Sequence, residues 1–510
     1  MAAAARLLLL RVLALLAVAQ AVVGKSAVLS LRELDGRRGA ATETRSRSSR
    51  YADAKLAEML GEHKKAGAAR RATTVLELKR HSLIAIPDDP AARDRYLRRL
   101  LAADESRANS FQLRDDNDRA AAAATRSGSA EVPLTSGIRF QTLNYVTTIA
   151  LGGGSSGSGS PAANLTVIVD TGSDLTWVQC KPCSACYAQR DPLFDPAGSA
   201  TYAAVRCNAS ACAASLKAAT GTPGSCGTTG GGGGNERCYY ALAYGDGSFS
   251  RGVLATDTVA LGGASLDAFV FGCGLSNRGL FGGTAGLMGF GRTELSLVSQ
   301  TASRYGGVFS YCLPAATSGD ASGSLSLGGD ASSYRNTTPV VYTRMIADPA
   351  QPPFYFLNIT GAAVGGTTLT AQGLGATNVL IDSGTVITRL APSVYRAVRA
   401  EFTRQFGAAG YPTAPGFSIL DTCYDLTGHD EVKVPLLTLR LEGGADVTVD
   451  AAGMLFVVRK DGSQVCLAMA SLSYEDQTPI IGNYQQKNKR VVYDTVGSRL
   501  GFADEDCNYV

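Results

Sequence analysis

The stretch NLTVIVDTGSDLTWVQC, residues 164–180, decides the fold. Its apolar run is built for burial, yet it ends on a carboxylate, Asp170, followed by Thr171, Gly172 and Ser173 and then by Trp177, the single Trp of the chain. A second stretch, ATNVLIDSGTVITRL (376–390), repeats the order with Asp382, Ser383, Gly384 and Thr385. Each is followed downstream by two apolar residues and a glycine, Leu287 to Gly289 and Ile480 to Gly482. One Asp-Thr-Gly is an ordinary turn after a strand. Matched landmarks in register point instead to an internal duplication in which each half delivers one Asp.

The residue types suit one chemistry. Two carboxylates held a few ångströms apart cannot both ionise, so they share a proton and their pKa values split. The ionised one takes a proton from a water, while the protonated one polarises a carbonyl. Gly172 and Gly384 allow tight turns that leave amides for the carboxylates. Thr171 and Ser383 offer hydroxyls to lock one loop against the other.

At 510 residues the chain suggests two or three units at roughly 150 residues per domain. Residues 1–24, MAAAARLLLLRVLALLAVAQAVVG, have the charge, apolar run and small-residue end of a secretory signal peptide. Arg11 breaks the run and it is short for a span, so no stable membrane insertion is expected after its removal. The 12 Cys, namely Cys180, Cys183, Cys186, Cys207, Cys212, Cys226, Cys238, Cys273, Cys312, Cys423, Cys466 and Cys507, form an even set that predicts disulfides. Zinc is the rival reading of CKPCSAC, but no second pair with ligand spacing answers it and the chain has 3 His. Sequons at Asn164, Asn208, Asn336 and Asn358 are glycosylation candidates on the secretory route.

The net charge of +4 hides two segments of opposite sign. Residues 25–135 hold 22 basic and 16 acidic side chains, residues 136–510 hold 24 and 28. The first segment has helical periodicity in RDRYLRRLLAADESR, where Tyr96, Leu97, Leu100 and Leu101 share a face. It closes in DRAAAAATRSGSAEVP, which reads as a flexible linker. A basic segment ahead of an acidic domain fits an electrostatic latch; DNA binding is a weaker reading, since no aromatic platform or dense basic block is present. From residue 139 onward, short alternating runs and Gly-rich turns predict a mainly β unit large enough for two lobes, with helices at SLVSQTASRY and SVYRAVRAEFTRQF. A Ser or Cys nucleophile would need His429 as its base, and LTGHDEVKVP reads as an exposed turn. The Gly residues of LFGGTAGLMGFGR read as close packing beside the first Asp loop.

With these motifs the sequence resembles the pepsin-like aspartic proteases, and within them the plant nepenthesin-like and chloroplast-nucleoid-protease-like group. DTGSDLTWVQC, YGDGSFSRGVLATDT, FGCGLSNRGLFGGTAGLMGFGR, FSYCLP, IDSGTVITRL and IIGNYQQKNKRVVYDTVGSRLGFADEDC carry the match across residues 139–510. The resemblance implies a bilobal double β-barrel with Asp170 and Asp382 at the base of the cleft between lobes. It implies a signal (1–24), a partly helical prosegment with linker (25–135), a first lobe (136–335) and a second lobe (336–510). The first lobe would carry a Cys-rich insertion (183–238) and a flap (241–252). In the flap, Tyr244, Gly245 and Asp246 would close over substrate, with Trp177 beside Tyr244; Thr385 would contact substrate backbone. VLELKRHS looks like the strand that opens such prosegments. An acid-active endopeptidase is implied, made as a zymogen, with no cofactor or metal. Its partners would be protein or peptide substrates and its own prosegment as intramolecular inhibitor. It would act as a monomer in the secretory pathway, cell wall or vacuole rather than the chloroplast, in protein turnover, defence or developmental cell death. The alternatives are a catalytically inactive pepsin-fold inhibitor or binding protein, and a protease that also binds DNA through its basic N-terminal segment.

Overall fold

In the computed structural model, each aspartate stands at the end of the buried strand that precedes it: Ala163–Asp170 and, one residue short of Asp382, Thr377–Ile381. The structure describes residues 26–30, 87, 89–112, 130–136, 140, 142–153, 162–227, 236–244, 247–315, 322–329, 334–335, 337–375 and 377–507. The expected signal segment (1–24), VLELKRHS, Gly245, Asp246, Asn336 and the long Gly run lie outside them.

The duplication read from sequence is a duplication of topology. Ala163–Asp170 pairs in parallel with Gly286–Gly289, which pairs antiparallel with Trp177–Gln179, which pairs in parallel with Ala264–Arg278. In the second half, Thr377–Ile381 pairs in parallel with Ile480–Ile481, which meets Thr388–Leu390 antiparallel, which pairs in parallel with Met469–Ser471. The glycines close each copy in the same way. A Cβ on Gly289 would lie 2.1 Å from the carbonyl oxygen of Asp174, and one on Gly482 2.4 Å from that of Val386; these carbonyls belong to the fourth residue after each dyad Asp. No side chain fits at that distance, so the apolar-apolar-Gly signature is a packing requirement.

Strands from both halves join in one sheet. Lys489–Asp494 lies between Arg499–Asp504 and Val308–Cys312, and the order continues through Ser322–Leu327 and Ala130–Ser136 to Tyr145–Leu151. Cys312–Cys507 ties the chain end to this sheet. Here the linker expectation needs correction, because Ala130–Ser136 is a strand, not a flexible connection. Ala130, Val132 and Leu134 alternate into the core, a period-two signal masked by the Ser, Gly and Ala around it.

All twelve Cys are paired: Cys180–Cys273, Cys183–Cys186, Cys207–Cys226, Cys212–Cys238, Cys312–Cys507 and Cys423–Cys466. The sulfurs of CKPCSAC are therefore committed to disulfides, and zinc ligation through them is overturned. Three of the six bridges staple the Cys-rich insertion. The two expected helices occur, as Leu297–Gln300 with Ala302–Tyr305 and as Pro392–Gly407, which buries Val394, Tyr395, Val398, Phe402 and Phe406.

Two N-terminal elements pack on this body. Ser26–Ser30 adds antiparallel to Glu431–Pro435. The helix Pro90–Ser110 starts at Asp89, whose carboxylate accepts the Ala92 amide at 2.6 Å, with Pro at its first position. It buries Arg93, Leu97, Leu101, Asp104 and Ala108. Leu97 and Leu101 join the cluster of Val386, Ile387, Phe417, Leu420 and Phe456, while Ala108 and Phe111 join Phe354, Phe356, Leu380 and Ile480.

Candidate active site

Each Asp loop turns back on its own carboxylate. Asp170 Oδ1 accepts the Gly172 amide at 3.0 Å and Oδ2 accepts the Ser173 hydroxyl at 2.6 Å. Asp382 repeats the pattern, with the Gly384 amide at 2.9 Å and the Thr385 hydroxyl at 2.6 Å. Thr385 thus holds in the second loop the place that Ser173 holds in the first. The loops are also bonded to one another: the Thr171 amide donates to Ser383 Oγ at 3.0 Å and the Ser383 amide to Thr171 Oγ1 at 2.9 Å. Ser383 Oγ donates onward to the Val169 carbonyl at 2.9 Å. Neither carboxylate has any exposed surface. A Cβ on Gly172 would lie 2.7 Å from Asp382 Oδ1, and one on Gly384 2.3 Å from Asp170 Oδ1, so each glycine makes room for the opposite acid.

A residue that sequence reasoning missed occupies the space between them. Arg107, fourth from the end of the helix Pro90–Ser110, sends Nη2 to Asp170 Oδ1 at 2.6 Å and to Asp382 Oδ2 at 3.0 Å. Its Nε donates to Asp382 Oδ2 at 3.1 Å. Burial alone would lower the Arg107 pKa, but the two carboxylates overcome this and hold it above its ordinary value. Burial raises Asp170, Arg107 pulls it down and Asp382 pushes it up again, leaving it raised. A signal for this arrangement was present in sequence. The buried stripe Leu97, Leu101, Asp104, Ala108 puts an acid where an apolar residue belongs, and Arg107 stands one turn further along.

The cleft wall is aromatic. Arg237–Ala243 and Phe249–Leu261 form a hairpin closed by the Tyr244 amide on the Ser248 carbonyl at 2.8 Å. Trp177 Nε1 donates to the Tyr244 hydroxyl at 2.8 Å, and both rings meet Phe281 edge-on. Burial, then the charge of Asp170, raises Tyr244 well above its ordinary pKa. A cavity lined by Leu100, Arg107, Tyr244, Phe281 and Gly384 separates this wall from the helix.

The other candidates lie apart from the dyad. Asn164 and Asn208 are exposed; Asn164 begins at the surface the strand that runs inward to Asp170. Asn358 is half-buried within its strand and donates to Glu442 at 3.4 Å. His429 is exposed in its turn.

Comparison with known proteins agrees with this geometry. Residues 154–329 match the family model described as "Xylanase inhibitor N-terminal" and residues 354–504 the one described as "Xylanase inhibitor C-terminal". An aspartyl protease family protein of Arabidopsis thaliana is 40% identical over 413 residues, covering 80% of this chain and 82% of the relative. The chain belongs to the pepsin-like aspartyl protease family. Among its relatives, aspartic proteinase nepenthesin-1 of Nepenthes gracilis is 35% identical over 360 residues, covering 68% of this chain and 76% of its own. An aspartic proteinase from Irpex lacteus, at 20% identity, shares the fold with a TM-score of 0.51 over 74% of this chain and 98% of that one. The mainly β, bilobal fold expected of this family is the one the chain adopts, and no helix among the described residues is long and apolar enough to cross a membrane.

Proposed function

We propose that this family member is an active aspartic endopeptidase made as a precursor, held latent by its own N-terminal helix and released in acid. The observation that carries this reading is Arg107 lying across an intact dyad. A binding protein on the same fold has no need to neutralise its aspartates with a cation from its own chain; a protease that must stay silent until its destination does. Once the helix withdraws, the carboxylates share one proton, and the ionised one takes a proton from water as the oxygen adds to the scissile carbonyl. The other gives its proton to the carbonyl oxygen, forming a diol that collapses to acid and amine. Substrates are extended peptides with apolar side chains flanking the cut, a class suited to a cleft walled by Tyr244, Phe281 and Leu287.

The test is acid treatment of the purified precursor, followed by peptide cleavage with and without a statine-type diol mimic. Wild type cleaves and is inhibited; Asp170→Asn folds and does not cleave. A wild type that stays inert after its N-terminal segment is removed would favour the inactive binding protein, to which the descriptions of the matching family models also point.

A further inference from the structure

Asp104 makes contacts that blocking the dyad does not require. Its carboxylate is buried in a socket on the second lobe, where Oδ1 accepts the Val386 amide at 2.5 Å. Oδ2 accepts the Ile387 amide at 3.0 Å and Arg389 Nη2 at 3.1 Å. Arg389 is 1% exposed, donates through Nε to Glu105 at 3.0 Å and through Nη1 to the Ile387 carbonyl at 2.8 Å. Among the described residues, every donor of the socket belongs to the lobe and both carboxylates that meet Arg389 come from the helix. When the helix leaves, the Val386 and Ile387 amides and the Nε and Nη2 of Arg389 lose these partners, with Val386 lining the cavity beside the helix, and such a set calls for another carboxylate.

We propose that this socket is a substrate subsite for a carboxylate side chain, Asp or Glu, which Asp104 fills in advance as an internal stand-in. The inference rests on the peptidase reading above. Four residues of chain separate Asp382 from Val386, a reach of at most about 14 Å. An extended peptide covers that in about four residues, so the acid stands within about four positions of the cut.

The experiment uses acid-activated full chain and pairs of peptides amidated at the C-terminus, so that the side chain alone supplies the carboxylate. Members of a pair differ by Glu against Gln at one of the four positions on either side of the cut. At pH 5 one position is expected to favour Glu by at least about ten-fold in kcat/KM, the range of a charged hydrogen bond. In Arg389→Met the ratio falls to near one. A wild-type ratio near one at every position, or a ratio unchanged in Arg389→Met, overturns the subsite while leaving the peptidase intact. Cleavage of no peptide at all overturns the peptidase and the subsite with it. Should Arg389→Met not fold, wild type alone decides. The acids facing Arg389, Asp104 and Glu105, depart with the helix, so the substrate acid is the one left to titrate. The Glu preference must then collapse below the ordinary Glu pKa of about 4.3. A preference independent of pH overturns the proposal.

Discussion

Replacing Arg107 by Met separates latency from folding. Arg107 reaches both dyad acids with one nitrogen, at 2.6 and 3.0 Å, and its side chain is 15% exposed against 0% for each partner. Removing one partner from such a buried set costs roughly 3–5 kcal/mol. The dyad recovers part of this by taking up a shared proton, which Arg107 no longer opposes, so about 3 kcal/mol remains. That shifts the closed-to-open ratio by roughly 150-fold. The assay compares wild-type and Arg107→Met precursors at pH 6 and low protein concentration, by binding of a fluorescent diol mimic and by peptide cleavage. Arg95→Met, an exposed cation on the same helix, serves as control and should stay within about two-fold of wild type. The variant should bind the mimic on mixing, whereas wild type binds it only after acidification. An Arg107→Met precursor as latent as wild type would refute the assignment of Arg107 as the blocking group.

Acid should release the wild-type helix. Burial raises Asp170 in the closed form while Arg107 pulls it down. The burial contribution favours closure in acid and the Arg107 contribution opposes it, so release requires that loss of the Arg107 ion pairs as the dyad protonates outweigh the rest. Asp104 works in the opposite sense: burial raises it in the closed form despite Arg389 and two amides, so acid on that group favours closure. Asp104→Asn removes both this opposing titration and the Arg389 ion pair, and should move release to higher pH in a stopped-flow pH series. Asp170→Asn and Asp382→Asn should each lower kcat by at least about 10³-fold with unchanged far-UV circular dichroism. Trp177, the single Trp, is buried and bonded to Tyr244, so its emission should shift when the helix leaves and its quantum yield should change in Tyr244→Phe. An emission spectrum identical before and after activation would contradict that placement.

Much of the fold and the dyad was legible because both depend on local chemistry. Asp170 and Asp382 need the residues beside them in sequence: Gly172 and Gly384 for turn and amide, Ser173 and Thr385 for a hydroxyl, Thr171 and Ser383 for the cross-link. The distant partners, Gly289 and Gly482, were also legible, since a backbone carbonyl closer than 2.5 Å to a Cβ position admits glycine alone. What was not legible depends on long-range pairing. Arg107 is one of many Arg in a basic segment, and what singles it out is docking of its helix 275 residues away in sequence from Asp382. The strand Ala130–Ser136 was hidden because alternation over seven residues is weak beside a Ser/Gly/Ala composition, and its partner Ser322–Leu327 is remote. Cysteine count predicted bridges, but connectivity required the fold.

The helix is held by two kinds of force, and they predict different responses to proteolysis and to acid. Leu97, Leu101 and Phe111 are buried against the second lobe, each contributing roughly 2 kcal/mol of gross apolar burial. Arg107 and Asp104 add buried ion pairs that depend on protonation. A cut between residues 112 and 130 leaves all of these contacts in place. The severed segment should therefore remain bound at neutral pH as a tight inhibitor, because its apolar anchors outlast the peptide bond. Acid weakens the Arg107 pairs with the dyad without touching Leu97, Leu101 or Phe111, so acid alone should open the intact precursor reversibly. Nicking at pH 7.5 is expected to leave the diol-binding site closed, with activity appearing on subsequent acidification and not recovering latency once the segment is dialysed away. Full activity immediately after neutral nicking would show that the covalent tether, and not the Arg107 and Asp104 contacts, holds the site shut.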